Sequence, residues 1–229
     1  MQSRINNSLF MVTFVLVHGG NMSADTWNRL VGRQDYPPGS HLGAKYWDGT
    51  LAWLTAHGHT AVAPELADEY THNLSDHIGQ VSSLVEQMGS GDIVLVGHSY
   101  GGMVITGVAD WMPDRVIRLV YVDAALPDPG QSLFDLFAAS GLDPLSFAGL
   151  EAASAYVEKI RFSPRTIQAI KKTYIRCTES EFQAVTAAAK RKIAAHNAGW
   201  TYLELPTSHV PMATMPGRFF RLLDHTGRS

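Results

Sequence analysis

The sequence predicts a single α/β domain whose mostly parallel, doubly wound sheet carries helices on both faces. Short runs rich in β-branched residues alternate along the chain with longer amphipathic or alanine-rich segments. Several of these runs are apolar throughout, which is typical of strands buried on both faces of a parallel sheet. The length of 229 residues accommodates one such domain with a proper core, but not two.

The predicted strands follow one another as VTFVLV, TAVAPEL, DIVLVGHS, VIRLVYVDA, KKTYIRCT and WTYLEL. The helix LSDHIGQVSSLVEQM has apolar residues near helical spacing, with Asn73 or Ser75 as its N-terminal cap. An apolar helix, GGMVITGVADWMPD, starts directly after the third strand. An alanine-rich helix that ends at Gly199 precedes the last strand, and MPGRFFRLLDH is the last helix.

The alternation is interrupted at about residues 129–165, where loop and helix occur without a strong strand. This predicts a small lid inserted into a domain at 11–229, preceded by a polar, irregular extension at 1–10. Sheets of this kind bind ligands at the carboxyl ends of their strands. Polar residues that follow predicted strands, including His18, Ser99, Asp123 and His209, are therefore the first candidates for a site.

Composition excludes several function classes. Apolar residues make up 45% and charged residues 17% of the chain, and the formal net charge is −3, as in an ordinary soluble globular protein. No basic run indicates a nucleic-acid surface, and no apolar stretch approaches the roughly 18 residues of a membrane span. Cys177 is the single cysteine and is predicted as a buried strand residue. With no internal disulfide and no recognisable cleavable leader, a cytoplasmic location is expected.

The motifs indicate no metal and no cofactor. His57 and His59 have no third ligand of suitable type nearby. The glycine loop HGGN lacks the pattern of a phosphate-binding loop, so no nucleotide is implied.

The segment LVGHSYGG contains the pattern G-x-S-x-G, with Ser99 between Gly97 and Gly101. The pattern is short and occurs by chance, but here a buried strand precedes it and an apolar helix follows it. That context is what a nucleophile elbow requires, because a strained strand-to-helix turn presents the hydroxyl at the top of the sheet. The alternative interpretation is a glycine-rich turn without chemistry, and the context favours Ser99 as a nucleophile.

A serine needs a base, and His209 is the best candidate among the ten histidines. It follows the last strand and precedes the last helix, which suits the chain order serine, acid, histidine. Acyl transfer also needs donors for the developing oxyanion, usually two backbone amides. The amide of Tyr100, directly after the nucleophile, and that of Gly20, after the first strand, are the expected pair.

The chain resembles the α/β-hydrolase superfamily, and within it the small esterase branch that includes plant methylesterases and hydroxynitrile lyases. The resemblance rests on FVLVHGG, LVGHSYGGMVITGVAD, PDRVIRLVYVDAALPDPGQS, TYIRCTES and SHVPMATMP, and it covers most of the chain. It is weak at 21–50 and in the predicted lid. It implies an α/β-hydrolase fold with Ser99 as nucleophile, His209 as base and the amides of Gly20 and Tyr100 as oxyanion hole, but it leaves the reaction open.

The resemblance also reveals a departure at the triad acid. In this branch the acid is usually an aspartate after the segment Y-I-x-C-T-x, and here that position is Ser180, which carries no charge. Three replacements are open, namely Asp123 after the strand LVYV and the flanking Glu179 and Glu181. We favour Asp123, because a triad is defined by geometry rather than by sequence position. The alternative role of Asp123 is a structural carboxylate that caps the first turn of the lid.

The expected function is that of a cofactor-free serine hydrolase that cleaves a small, largely apolar carboxylic ester or lactone. A second hypothesis is a lyase, cyclase or isomerase that uses Ser99 and His209 for proton transfer without an acyl-enzyme. A third is a binding module that retains the pocket without chemistry. The expected partner is a small-molecule substrate, with no nucleic acid and no membrane, and the sequence leaves the oligomeric state open.

Overall fold

The computed structural model describes residues 11–20, 23–146, 150–195 and 198–228 of the chain. The predicted extension at 1–10 lies outside these residues, as do positions 147–149 of the predicted lid. Within the described ranges, six strands form one sheet in the order β2-β1-β3-β4-β5-β6, and every neighbouring pair is parallel. The strands are β1 Thr13–Val17, β2 Thr60–Val62, β3 Ile93–His98, β4 Val116–Val122, β5 Lys171–Cys177 and β6 Trp200–Leu205. The predicted parallel α/β architecture is confirmed.

Helices connect the strands, as the alternating pattern predicts, with several short ones between β4 and β5 and further helices after β6. They are α1 Ala24–Val31, α2 Asp48–Ala56, α3 Leu74–Gln87, α4 Gly101–Trp111, α5 Leu133–Ala139, α6 Ser154–Val157, α7 Pro164–Ile167, α8 Gln183–Ala195, α9 Pro211–Thr214 and α10 Pro216–Arg228. Short 3₁₀ turns occur at Gly43–Trp47 and Pro144–Ser146. Asn73, rather than Ser75, caps α3 and forms a reciprocal capping box with Asp76. None of the helices in the described ranges has the length and hydropathy needed to span a bilayer.

Alternate residues of the strands supply two separate hydrophobic cores, one on each face of the sheet. Leu95 of β3 packs in a cluster with Val81 of α3 and Val104 of α4. Its neighbour Val96 packs on the opposite face with Leu54 of α2 and others from α10. Because successive strand side chains point to opposite faces, a strand buried on both sides must be apolar throughout. This is why the continuous apolar runs in the sequence identify the central strands.

β2 is shorter than the predicted strand TAVAPEL, since pairing ends at Val62. Pro64 has no N–H to donate to a strand ladder. The residues that follow it bond elsewhere, because the Leu66 N–H donates to His18 Nε2 over 3.0 Å and the Glu65 carboxylate accepts from Ala44 N–H. The segment 63–66 therefore leaves the sheet and supports the loop that follows β1.

The connection between β4 and β5 contains α5, α6 and α7 and corresponds to the predicted lid at 129–165. Phe137 of α5 and Tyr156 of α6 are buried in the same core cluster as α3 and α4. Ser132 caps α5 and forms a capping box with Asp135. The insertion is thus packed against the domain, and its function as a lid remains a prediction.

The strand order reverses direction between β1 and β3. From β1 the chain moves outward to β2 at one edge and then returns to build β3 to β6 on the other side. In open parallel sheets, a crevice forms at such a switch point, beyond the carboxyl ends of the two strands. Gly19 and Gly20 follow β1 and Ser99 follows β3, so both predicted loops lie at this crevice.

Candidate active site

Ser99 lies in a tight turn between the end of β3 and the start of α4, and its φ is 54°. A non-glycine residue in this left-handed region is strained and persists only where its surroundings hold it. The Ser99 carbonyl accepts from the N–H groups of Gly102 and Ala125, at 3.1 and 2.9 Å, and its own N–H donates to Val122 O. Ser99 is therefore fixed by backbone contacts to both α4 and the β4 end.

Two glycines allow the turn to be this tight. A Cβ added to Gly97 would lie 2.5 Å from Gly101 O, and one added to Gly101 would lie 2.6 Å from Val17 O. Both clashes are with backbone, which cannot move aside as a flexible side chain does. The two flanking glycines of the motif are thus required by the approach of α4 to β1 and β3.

The glycine loop after β1 lies directly against Ser99. A Cβ added to Gly19 would come within 2.9 Å of Ser99 Cβ, and one added to Gly20 would overlap the Tyr156 hydroxyl. Neither the Gly20 N–H nor the Tyr100 N–H donates a hydrogen bond to any residue that the structure describes. Two backbone donors beside a strained serine are the elements that an oxyanion site needs.

Asp123, which follows β4, and His209, in the loop after β6, form a buried pair at the carboxyl edge of the sheet. Asp123 follows β4 and is fully buried, and its Oδ2 lies 2.7 Å from His209 Nδ1. Its Oδ1 accepts from the Cys177 N–H over 3.0 Å, and its φ is 43°. This carboxylate is held from two sides and determines that His209 carries its proton on Nδ1 when neutral, which leaves Nε2 as the basic nitrogen.

The other two candidate acids do not approach the histidine. Glu181 forms an exposed ion pair with Arg29, with 2.6 Å between carboxylate oxygen and guanidinium nitrogen. Glu179 is exposed, and its backbone N–H bonds to Thr207 O. Ser180 does face the ring, since its Oγ lies 3.4 Å from His209 Nδ1 and accepts from the Phe182 N–H. The structure therefore brings His209 together with Asp123 and Ser180, and not with the glutamates.

His209 itself is only 4% exposed and is enclosed by aromatic rings. Its ring centroid lies 4.5 Å from that of His98 and 5.3 Å from that of Phe182. The described residues include no hydrogen bond between the Ser99 hydroxyl and the His209 ring. In active sites without bound substrate this contact is often long, and it shortens in the reacting complex.

Two more residues contribute to this site, and their contacts could not be placed from the sequence. Tyr46, in the 3₁₀ turn at Gly43–Trp47, reaches across to the glycine loop and accepts a hydrogen bond from the Gly19 N–H. Tyr156 of α6 explains why residue 20 has no side chain. Both come from segments without a periodic pattern, so no local signal in the sequence indicates where they lie. Within the described ranges no group of three or more acidic, histidine or cysteine side chains is arranged to hold a metal.

Comparisons with known proteins identify the family of this chain. A family described as the alpha/beta hydrolase family matches residues 14–212. A carbendazim hydrolyzing esterase from Nocardioides sp. (strain SG-4G) is 38% identical over 135 residues, which are 55% of this chain and 47% of that protein. Methylesterase 9 of Arabidopsis thaliana is 34% identical over 134 residues, covering 57% of this chain and 48% of the relative. The chain therefore matches about half the length of these curated relatives.

Solved structures share the fold across nearly the whole chain. One is described as an extracellular alpha/beta-hydrolase from a Paenibacillus species with structural and functional homology to tobacco salicylic acid binding protein 2. It superposes with a TM-score of 0.71 over 95% of this chain and 100% of its own, at 23% identity. The family match and the methylesterase relatives together confirm the resemblance to the esterase branch that contains plant methylesterases. The chain belongs to the alpha/beta hydrolase family.

Proposed function

We propose that this protein is a serine hydrolase that cleaves a small, largely apolar carboxylic ester or lactone through an acyl-enzyme on Ser99. The observation that carries the proposal is the 2.7 Å contact between Asp123 and His209, beside a strained serine at the switch point of the sheet. A buried carboxylate on Nδ1 both orients the imidazole and stabilises the imidazolium that forms during acyl transfer. The named esterases among the relatives support the same reaction type.

In the proposed reaction the Ser99 hydroxyl attacks the ester carbonyl carbon while its proton moves to His209 Nε2. The N–H groups of Gly20 and Tyr100 donate to the oxyanion of the tetrahedral intermediate. The C–O bond to the leaving group then breaks, and the imidazolium protonates the departing alkoxide. In the second half, His209 takes a proton from water, the hydroxide attacks the acyl carbon, and the proton returns to Ser99 as the carboxylic acid leaves.

The surroundings of the base support an apolar substrate. The Phe182 ring lies 5.3 Å from His209 and 5.4 Å from the Phe137 ring of α5. Tyr156 of α6 lies against Gly20 on the other side of the site. We propose on these contacts that the insertion at 129–165 of the domain at 11–229 acts as a small lid, and that its apolar side chains bind the apolar part of the substrate.

Intact mass after incubation with a small fluorophosphonate tests the mechanism, together with turnover of short-chain p-nitrophenyl esters. Wild type should gain one phosphonyl group, and Ser99→Ala should gain none and lose turnover by at least about 10³-fold. Ester turnover that survives Ser99→Ala would contradict the proposal. The proton-transfer alternative, a lyase, cyclase or isomerase, predicts weak activity on generic esters and no covalent adduct during turnover.

A further inference from the structure

A buried chain of hydrogen bonds connects the glycine loop to the loop of His209. The Gly19 N–H donates to the Tyr46 hydroxyl oxygen over 2.7 Å, and that oxygen lies 3.0 Å from His98 Nδ1. On the other side of the ring, His98 Nε2 lies 2.8 Å from the carbonyl oxygen of His209. The exposed fractions of Tyr46, His98 and His209 are 3%, 0% and 4%, so water does not compete for these contacts.

The donor and the acceptor of every hydrogen bond in this series can be assigned. The carbonyl of His209 only accepts, so His98 Nε2 carries a hydrogen and donates to it. Burial lowers the pKa of His98 well below its ordinary value, so the ring is neutral and Nδ1 accepts. The donor to Nδ1 is the Tyr46 O–H, which remains protonated because burial raises its pKa well above the ordinary value. The three groups therefore satisfy one another without a charge.

The series of hydrogen bonds ends at the two parts of the site that must be aligned with Ser99. Gly19 lies against Ser99 Cβ and directly precedes Gly20, whose N–H is the proposed oxyanion donor. The carbonyl at the other end belongs to His209, the residue whose ring bonds to Asp123. His98 is the residue before the nucleophile, so the chain passes beneath Ser99 from one side of the site to the other. His18 holds the next peptide, between Gly19 and Gly20, because its Nδ1 donates to Gly19 O over 2.7 Å.

We propose that Tyr46 and His98 are positioning residues. They hold the glycine loop after β1 and the loop of His209 in a fixed position relative to each other and to Ser99. This inference rests on the proposed function, since it assigns Gly20 and His209 their roles in acyl transfer. Neither residue touches the reacting atoms. Tyr46 lies in the 3₁₀ turn at Gly43–Trp47, within the segment at 21–50 where the sequence resemblance to the esterase branch is weak.

Loss of the Tyr46 hydroxyl should reduce kcat more than it changes KM. Tyr46→Phe leaves the Gly19 N–H and His98 Nδ1 without a buried partner, so both loops are free to shift by a fraction of an ångström. Donors and bases act through transition-state geometry, and small displacements are costly there. We expect kcat to fall about tenfold or more, with KM within about twofold of wild type.

Tyr121→Phe is the matched control. Its hydroxyl is equally buried and lies 2.8 Å from the Thr106 hydroxyl, in the core cluster on the α4 face of the sheet. Both substitutions remove a buried hydroxyl, but in Tyr121→Phe the Thr106 hydroxyl still donates to Gly102 O. Tyr46→Phe should therefore lower the stability more, and kcat is compared per folded protein. Only Tyr46→Phe should lower kcat and slow the labelling of Ser99 by fluorophosphonate.

His98→Gln provides a second, independent variant. A glutamine amide can still donate to the His209 carbonyl, but it cannot also accept from Tyr46 at the position of Nδ1. If the hydrogen bonds of Tyr46 and His98 act together, Tyr46→Phe should lower kcat by a clearly smaller factor in the His98→Gln background than in wild type. Imidazole nitrogen shifts of ¹⁵N-labelled wild type should show His98 with its hydrogen on Nε2, a test that needs no variant to fold.

The deciding experiment measures kcat, KM and the fluorophosphonate labelling rate for wild type, Tyr46→Phe and Tyr121→Phe, with the folded fraction checked by circular dichroism. A selective fall of kcat and labelling in Tyr46→Phe supports the positioning role. Equal effects of the two variants, additive costs with His98→Gln, or a hydrogen on His98 Nδ1 would overturn it while leaving the hydrolase intact. A wild type that neither labels nor turns over esters would overturn both the proposed function and this inference.

Discussion

Two neighbouring strand ends present a side chain to the same nitrogen of His209. After β4, Asp123 Oδ2 lies 2.7 Å from Nδ1, and after β5, Ser180 Oγ lies 3.4 Å from it. The β4 end provides a buried negative charge, whereas the β5 end provides a hydroxyl that also accepts from the Phe182 N–H. In the esterase branch that this chain resembles, the acid usually stands at the β5 end. Parallel strands end side by side, so a carboxylate on either one can reach a histidine from the last loop.

Under the proposed function, the comparison explains how the triad acid can stand after β4 without a change of fold. Asp123 needs no new loop, because it directly follows β4, and the Cys177 N–H fixes its second oxygen. Ser180 is left with a local structural contact. A triad needs a negative charge beside the histidine, and it needs that charge within reach of Nδ1. The following variants test these two needs separately.

Asp123→Asn should have the largest effect of these variants, lowering kcat by about 10³- to 10⁴-fold. The asparagine Oδ1 can still accept from the Cys177 N–H, but its amide would donate to His209 Nδ1. That would place the histidine proton on Nε2, where the base is needed. Steady-state kinetics on the ester that wild type turns over will measure the change.

Asp224→Asn is the control for that measurement, since Asp224 forms a second His–Asp pair with His59, at 2.8 Å, in α10. It should leave kcat unchanged. Equal losses in the two variants would mean that Asp123 acts through stability alone, and an active Asp123→Asn enzyme would mean that another group supplies the acid.

Ser180→Asp in the Asp123→Asn background should recover part of the loss, by about tenfold or more. The aspartate side chain is one atom longer than serine, so its carboxylate can approach the nitrogen that Ser180 Oγ already faces at 3.4 Å. The kcat of the double variant relative to Asp123→Asn is the quantity to measure. Recovery requires a charge, so Ser180→Asn in the same background should remain inactive. No recovery would show that the β5 end has lost the geometry as well as the charge.

The fold was largely predictable from the sequence because its signals are local. Each observed strand lies within a predicted run, and burial on both faces makes β1 and β3 the clearest of these runs. β2 ends earlier than expected, at Val62, because the bonding partner of Leu66 is His18, a residue 48 positions away. The turn at Ser99 was equally visible, because two glycines at fixed spacing are what the backbone approach demands.

The rest of the candidate site depends on distant contacts that leave no pattern. The sequence favoured Asp123 over Glu179 and Glu181, and the observed geometry agrees with that preference, while its catalytic role is still to be measured. Tyr46 is 52 positions from His98, in a loop without periodicity, and nothing local distinguishes it from other aromatic residues in that segment. Packing, rather than composition, selects which of them faces the glycine loop.

Ser180→Ala in the wild-type background should have the smallest effect and completes the comparison of the two strand ends. The Phe182 N–H would lose its 3.0 Å acceptor, which should lower the free energy of unfolding by about 1 kcal/mol. His209 Nδ1 already donates to Asp123 over the shorter distance, so kcat should change by less than about threefold. Urea unfolding and steady-state kinetics measure the two quantities separately. A large fall in kcat without a loss of stability would mean that the hydroxyl shares in orienting the histidine, and that the two strand ends act together rather than one in place of the other.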